Sequence, residues 1–148
     1  MERLIFHIDV NSAFLSWEAA RRVKNGESDL RLVPSCVGGD PKTRRGVVLA
    51  KSIPAKKYNV RTGEPVAAAL KKCPSLVIVP PDYKLYSACS KAFKNICREY
   101  TTVLEEFSID ECFLDFTGMG RQFPDPVALA NEIKDRIKND LGFTVNVG

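Results

Sequence analysis

Residues 102–116 read TVLEEFSIDECFLDF. Two runs rich in strand-forming residues, 102–107 and 112–116, flank Ser108-Ile109-Asp110-Glu111, a pattern that predicts a β-hairpin. Both runs carry enough apolar side chains to read as central strands. Adjacent acids in a turn are ordinarily just solvated. Between two buried strands, however, a charged pair calls for partners. Strict alternation would send Asp110 and Glu111 to opposite faces of a strand. Both serve one site only if they sit at the hairpin turn.

A third acid stands a hundred residues earlier. Residues 3–10 read as a buried strand, and Asp9 follows its apolar run Leu4-Ile5-Phe6-His7-Ile8. Alone, Asp9 is equally a candidate helix N-cap. If the two regions are neighbours, Asp9, Asp110 and Glu111 converge at the rim of one sheet. Hard divalent cations such as Mg²⁺ take oxygen ligands, commonly one or two carboxylates plus substrate phosphates. The pattern points to phosphate chemistry on two metals.

The chain has 148 residues, 45% of them apolar, with net charge +4. That suits one domain, or a domain with a small inserted lobe. The charge is concentrated: Lys42, Arg44, Arg45, Lys51, Lys56, Lys57 and Arg61 lie in a stretch without an acid. Such a run is either a solvated lobe or an anion-binding face. An odd count of five cysteines, no CxxC pair and a single histidine (His7) argue against a zinc site. Free thiols fit a reducing cytosol. There is no signal peptide and no membrane-length apolar run, so a cytoplasmic protein without a membrane partner is expected.

Periodicity and punctuation supply the other elements. Helix is predicted over 12–24, capped by Asn11 or Ser12 and closed by Asn25-Gly26. Short strands are predicted at 34–38 and 46–51 around Gly38-Gly39-Asp40-Pro41, and short helices at 54–57 and 65–72. A strand at 76–79 precedes a helix over 82–100, with Tyr86, Cys89, Phe93, Ile96, Cys97 and Tyr100 on one stripe. A helix over 126–141, with Ala130, Ile133, Ile137 and Leu141 inward, leads to a strand at 143–147. The fold class is α+β: a mixed or antiparallel sheet with two packed helices and a small inserted lobe. Lys56 and Lys57, beside a short helix start, suit a polyphosphate. The amides of Ser12, Ala13 and Phe14, opening the first helix, are candidates for phosphate oxygens. No P-loop pattern is present. The chain stops at Val147-Gly148 within a predicted strand, as a fragment of a longer polypeptide would.

At these residues the chain resembles a Y-family DNA polymerase of the DinB/UmuC translesion type. The segments that carry the likeness are His7-Ile8-Asp9-Val10-Asn11-Ser12-Ala13-Phe14, Arg45-Gly46-Val47-Val48, Pro54 to Pro65, Tyr83 to Ser87, and, most specific, Ser108 to Asp115. The resemblance implies a palm from 1–18 and 79–148 and fingers at 19–78, with thumb and little finger absent. It implies Asp9, Asp110 and Glu111 as catalytic residues holding two Mg²⁺ (or Mn²⁺) ions, with the Val10 carbonyl as a further ligand. Phe14 would be the steric gate against a ribose 2′-hydroxyl; helix spacing alone would also make it a core residue. Lys56, with Ser12, Ala13 and Phe14, would meet the incoming nucleotide. Primed DNA template and dNTP are the implied partners, and a sliding clamp for the full-length protein. The implied activity is error-prone nucleotidyl transfer, weak or lost in these 148 residues alone.

The chain departs from the family at four places. Asn11 stands where many members have a second aspartate, and Ala13 where many have an aromatic. Ala50 and Ile53 stand where many members have a threonine and a tyrosine that touch the incoming nucleotide. Two rival readings remain: another palm-type enzyme such as a nucleotide cyclase, and a non-catalytic DNA-binding palm.

Overall fold

The computed structural model describes residues 3–39 and 46–148. Lys42, Arg44, Arg45 and half of the expected turn at 38–41 (Asp40 and Pro41) lie outside the described residues. Elements follow in the order β1 (Ile5–Val10), α1 (Ala13–Lys24), β2 (Ser35–Gly38), β3 (Val48–Lys51), α2 (Ile53–Lys56), α3 (Val66–Lys72), β4 (Val77–Val79), α4 (Tyr83–Arg98), β5 (Leu104–Ser108), β6 (Glu111–Asp115), α5 (Pro126–Leu141) and β7 (Val145–Val147). A 3₁₀ turn covers Leu30–Leu32. The chain divides into two compact units, Met1–Asn11 with Tyr86–Gly148, and Ser12–Leu85. These change over at Asn11/Ser12 and Leu85/Tyr86, inside the palm limits of 18/19 and 78/79 that the resemblance implies.

The first unit is built on an antiparallel sheet of order β5-β6-β1-β7. Alternation is strict in its centre. Phe6, Ile8 and Val10 of β1, with Cys112 and Leu114 of β6, are buried. Ile5, His7 and Asp9 take the other face, as the two-residue period of a strand requires. The core gathers these with Phe93, Cys97, Phe116, Ile133, Ile137 and Phe143, and the Phe6 and Phe116 rings lie 5.0 Å apart. Helix α5 starts where Asp125 accepts from the amides of Val127 and Ala128, with Pro126 suited to the first turn. It ends at Gly142, whose φ of 82° is open to glycine at little cost.

Three expectations need correction here. The 102–107 run is not a central strand: β5 is at the sheet edge, with Glu105, Glu106 and Phe107 exposed. Strand neighbours decide centrality, and composition does not reveal them. On α5, Leu129, Ile133 and Ile137 are buried, whereas Ala130 and Leu141 are only half-buried. On α4, Cys89 shares an apolar helical face with Cys97 and so reads as a buried thiol like it, but it is only half-buried, while Cys97 is buried.

The second unit carries a sheet of order β3-β2-β4, mixed because β2 pairs antiparallel to β3 and parallel to β4. Its core is Cys36, Val48, Ala55, Val60, Val66, Ala69, Cys73 and Leu76. Gly38 is required by close approach: a β-carbon there would meet the Val47 carbonyl oxygen and a Val66 methyl, each at 2.9 Å. Buried Ser52 ties the unit together. Its hydroxyl accepts from the amides of Ser35 and Ala55 and donates to the Val33 carbonyl, so it caps α2. Lys56 is therefore the last residue of a one-turn helix rather than at its start. Any attraction for phosphate comes from its charge, not from a helix N-terminus.

Candidate active site

The open face of the first unit's sheet is laddered by register. Asn146, Asp9, Glu111 and Ser108 follow one another across β7, β1, β6 and β5. One step along, Phe113 lies opposite His7. Like charges directly opposite on a sheet repel, yet Asp9 and Glu111 are such a pair.

The surroundings hold that pair in place. The Glu111 carboxylate lies 3.2 Å from His7 Nε2, and the imidazole rests against the Phe113 ring at 4.9 Å between centroids. Oxygen or nitrogen atoms of His7, Asp9 and Glu111 all come within 4.8 Å of one another, each half-buried. That spacing suits one divalent cation at ordinary ligand distances. On the far side of Asp9, Asn146 Nδ2 stands 3.5 Å from Oδ1.

The expectation that both acids sit at the hairpin turn needs correction: only Asp110 does, and Glu111 is the first residue of β6, on the same face as Asp9 by cross-strand register. β5 ends at Ser108 and β6 begins at Glu111, leaving Ile109 and Asp110 as a two-residue turn. Asp110 sits at the corner, where strand alternation does not apply. Neither turn residue has a positive φ, so this is not one of the primed turns that match strand twist. A bulge between Glu106 and Ser108 accompanies it. Bulges increase local twist and re-aim side chains. Here Ser108 Oγ is aimed between the two acids, 2.8 Å from Asp110 Oδ1 and 3.0 Å from Glu111 Oε2, its one proton shared between them. Lys94, almost fully buried on α4, donates to the Ser108 carbonyl at 2.7 Å.

The Val10 amide donates to the Asp110 carbonyl at 3.0 Å. A strand residue directs its N–H and C=O to the same edge, so the Val10 carbonyl also faces the turn. Asp110 lies outside the 4.8 Å cluster but shares its hydroxyl partner with Glu111. The sites expected at Asp9, Val10, Asp110 and Glu111 thus fall on neighbouring strand ends of one unit.

The expected nucleotide-binding residues belong to the other unit. Ser12 adopts the left-handed region (φ 43°) ahead of α1, and its side chain makes no capping bond. Such backbone is costly for a residue with a β-carbon and tends to occur at functional sites. Ala13 is buried and Phe14 half-buried, with the Phe14 ring 6.2 Å from Trp17 and 6.1 Å from Tyr83. Lys56 is exposed.

Sequence reasoning missed His7, Ser108, Lys94 and Asn146 as site residues. His7 was findable: two residues before Asp9 on a strand means the same face. Asn146 had no signal, because it depends on the register between β1 and β7.

The impB/mucB/samB family matches residues 8–148. DNA polymerase IV of Clostridium acetobutylicum is 54% identical over the whole chain, which spans 37% of that protein's length. DNA polymerase IV of Acetivibrio thermocellus is 43% identical, again over the whole chain and 36% of its own length. Among solved structures, a Y-family DNA polymerase chimera of Dbh and Dpo4 superposes with a TM-score of 0.86 at 27% identity, over 97% of this chain and 41% of that one. DinB from Sulfolobus solfataricus gives 0.83 at 27% identity over the same shares. No helix among the described residues is long and apolar enough to cross a membrane.

Proposed function

The chain belongs to the impB/mucB/samB family, and we propose that it is the palm-and-fingers part of a Y-family DNA polymerase. The full protein would join a dNTP to a primer 3′-hydroxyl on a DNA template, in error-prone translesion synthesis. The palm would be 1–18 and 79–148, the fingers 19–78. The observation that carries this reading is the in-register Asp9–Glu111 pair, with Asp110 pinned beside it through Ser108.

Two like charges are held face to face on a half-exposed sheet, a placement that favours a bound cation and is unfavourable without one. Asp9, Asp110, Glu111 and the Val10 carbonyl would hold Mg²⁺, with Mn²⁺ an alternative. Bound there, the metal would acidify the primer hydroxyl and neutralise the charge that grows on the triphosphate. Ser108 keeps the Asp110 and Glu111 carboxylates turned to the same side. Phe14 would exclude the ribose 2′-hydroxyl by bulk. Lys56 would neutralise phosphate charge, and the amides of Ser12, Ala13 and Phe14 would receive phosphate oxygens.

Primed DNA and dNTP would be the partners, with a sliding clamp engaged through the rest of the protein, in the cytoplasm. The 148 residues alone would extend a primer weakly. The test joins this chain to the remaining residues of the Clostridium acetobutylicum relative and measures primer extension with Mg²⁺. Extension is expected, with loss of more than about 10³-fold in Asp110→Ala and Glu111→Gln. A chimera that folds and binds primed DNA yet adds no nucleotide would overturn the reading.

A further inference from the structure

Asp9 has a neighbour that the polymerase reading does not use. Asn146 lies opposite it on β7, exposed, with Nδ2 3.5 Å from Asp9 Oδ1. The same nitrogen donates to Asn11 Oδ1 at 2.6 Å. Asn11 Nδ2 in turn donates to Thr144 Oγ1 at 2.9 Å, and the Asn11 amide donates to the Thr144 carbonyl at 3.1 Å. Asn11 follows β1, Thr144 precedes β7, and Asn146 is the middle residue of β7.

The direction of this chain of bonds is forced. An ionised carboxylate only accepts, so Asn146 must turn its NH₂ group towards Asp9. The second N–H of that group then meets an acceptor, which fixes the Asn11 amide with its oxygen inward. Its own NH₂ is left for the Thr144 hydroxyl oxygen. No step has an alternative orientation that keeps every contact. An aspartate at position 11 would accept from Asn146 equally well but would bring a second negative charge beside Asp9 and lose the donor to Thr144.

The chemistry of the contact also matters. A lysine or arginine at 146 would steady Asp9 but compete with a divalent cation for its charge. A neutral amide at 3.5 Å orients the carboxylate and leaves its lone pairs available. Partners of this kind typically change metal affinity 10–100-fold when removed.

We propose that Asn146 is a positioning residue for Asp9, held towards it by Asn11 and Thr144, and that it sets the affinity of the site for a divalent cation. This rests on the reading of Asp9 as a metal ligand.

The test titrates the 148-residue chain with Mn²⁺, following free ion by electron paramagnetic resonance, alongside thermal melts. Asn146→Ala should bind Mn²⁺ about tenfold more weakly, with an unchanged Tm because the side chain is exposed. In an Asp9→Asn background, Asn146→Ala should cause no further loss, since the partner it positions is gone. Equal affinity in wild type and Asn146→Ala overturns the inference and leaves the metal reading standing. The same loss in both backgrounds also overturns it, because the effect would not pass through Asp9. A wild-type chain that binds no Mn²⁺ overturns the metal reading and this inference together.

Discussion

Asp9 and Glu111 face each other directly across β1 and β6, so the first unit holds two carboxylates as nearest cross-strand neighbours. Among the histidines, cysteines and acids of the described residues, the His7 imidazole joins them in one cluster within 4.8 Å.

The metal-free chain should therefore carry a local penalty at this rung. Asp9→Asn keeps the shape and removes one charge. It should raise the Tm measured in EDTA by about 1–4 °C. It should also reduce the Tm increase that Mg²⁺ gives the parent protein. Thermal melts with and without Mg²⁺ check both halves, and a lowered Tm in EDTA would contradict the first.

Ser108 and Lys94 make the hairpin a fixed platform rather than a loose turn. Ser108→Ala should weaken divalent-ion binding roughly tenfold while costing only about 1 kcal/mol of stability. Lys94→Ala removes the donor to a partly buried carbonyl and leaves a void. It should cost about 2–4 kcal/mol in urea unfolding, with the ion affinity falling as well. If Ser108→Ala binds Mn²⁺ like the parent, the shared hydroxyl has no role in the site.

Phe14 is half-buried against Trp17 and Tyr83, so its ring position is defined by packing. In the full-length chimera, Phe14→Ala should raise the ratio of ribonucleotide to deoxynucleotide incorporation by about 100-fold. Single-nucleotide kinetics with paired NTP and dNTP provide the measurement. An unchanged ratio would return Phe14 to a packing role.

Burial pushes the Cys36 thiol up to about 11, with Glu64 adding a smaller electrostatic push in the same direction. The folded state thus binds this proton more tightly than the unfolded chain. The resulting stability is fully present below the unfolded value of 9.0. It is lost as pH rises towards 11. Urea unfolding of the parent and of Cys36→Ala should converge over that window by about 2–3 kcal/mol. A difference constant from pH 8 to 11 would refute the assignment.

The acids at 9, 110 and 111 were legible because charge beside strand-like runs is conspicuous in one dimension. The hairpin was legible from the same spacing, but with a connection over 108–111, whereas only Ile109 and Asp110 lie outside the strands, because Ser108 and Glu111 pair with each other. What escaped notice depends on pairing. Glu105 and Glu106 already hinted at an edge strand, but only the order β5-β6-β1-β7 shows it. Asn146 meets Asp9 through a register 137 residues apart in sequence. Lys94 looks like any surface lysine on a helix until the Ser108 carbonyl is placed above it. Lys56 was put at the wrong end of its helix because Pro54 fits either the first or the second helical position, and Ser52, not Pro54, marks the start.

The bulge at Phe107 also bears on how the protein behaves in concentrated solution. An exposed strand edge invites another chain to pair with it, and acids and bulges are the usual deterrents. β5 has both: Glu105 and Glu106 side by side, and then the irregularity between Glu106 and Ser108. The distortion that turns Ser108 towards the acids therefore also spoils β5 as a template for aggregation. Deleting Phe107 to straighten the strand should impair ion binding and solubility in a single step.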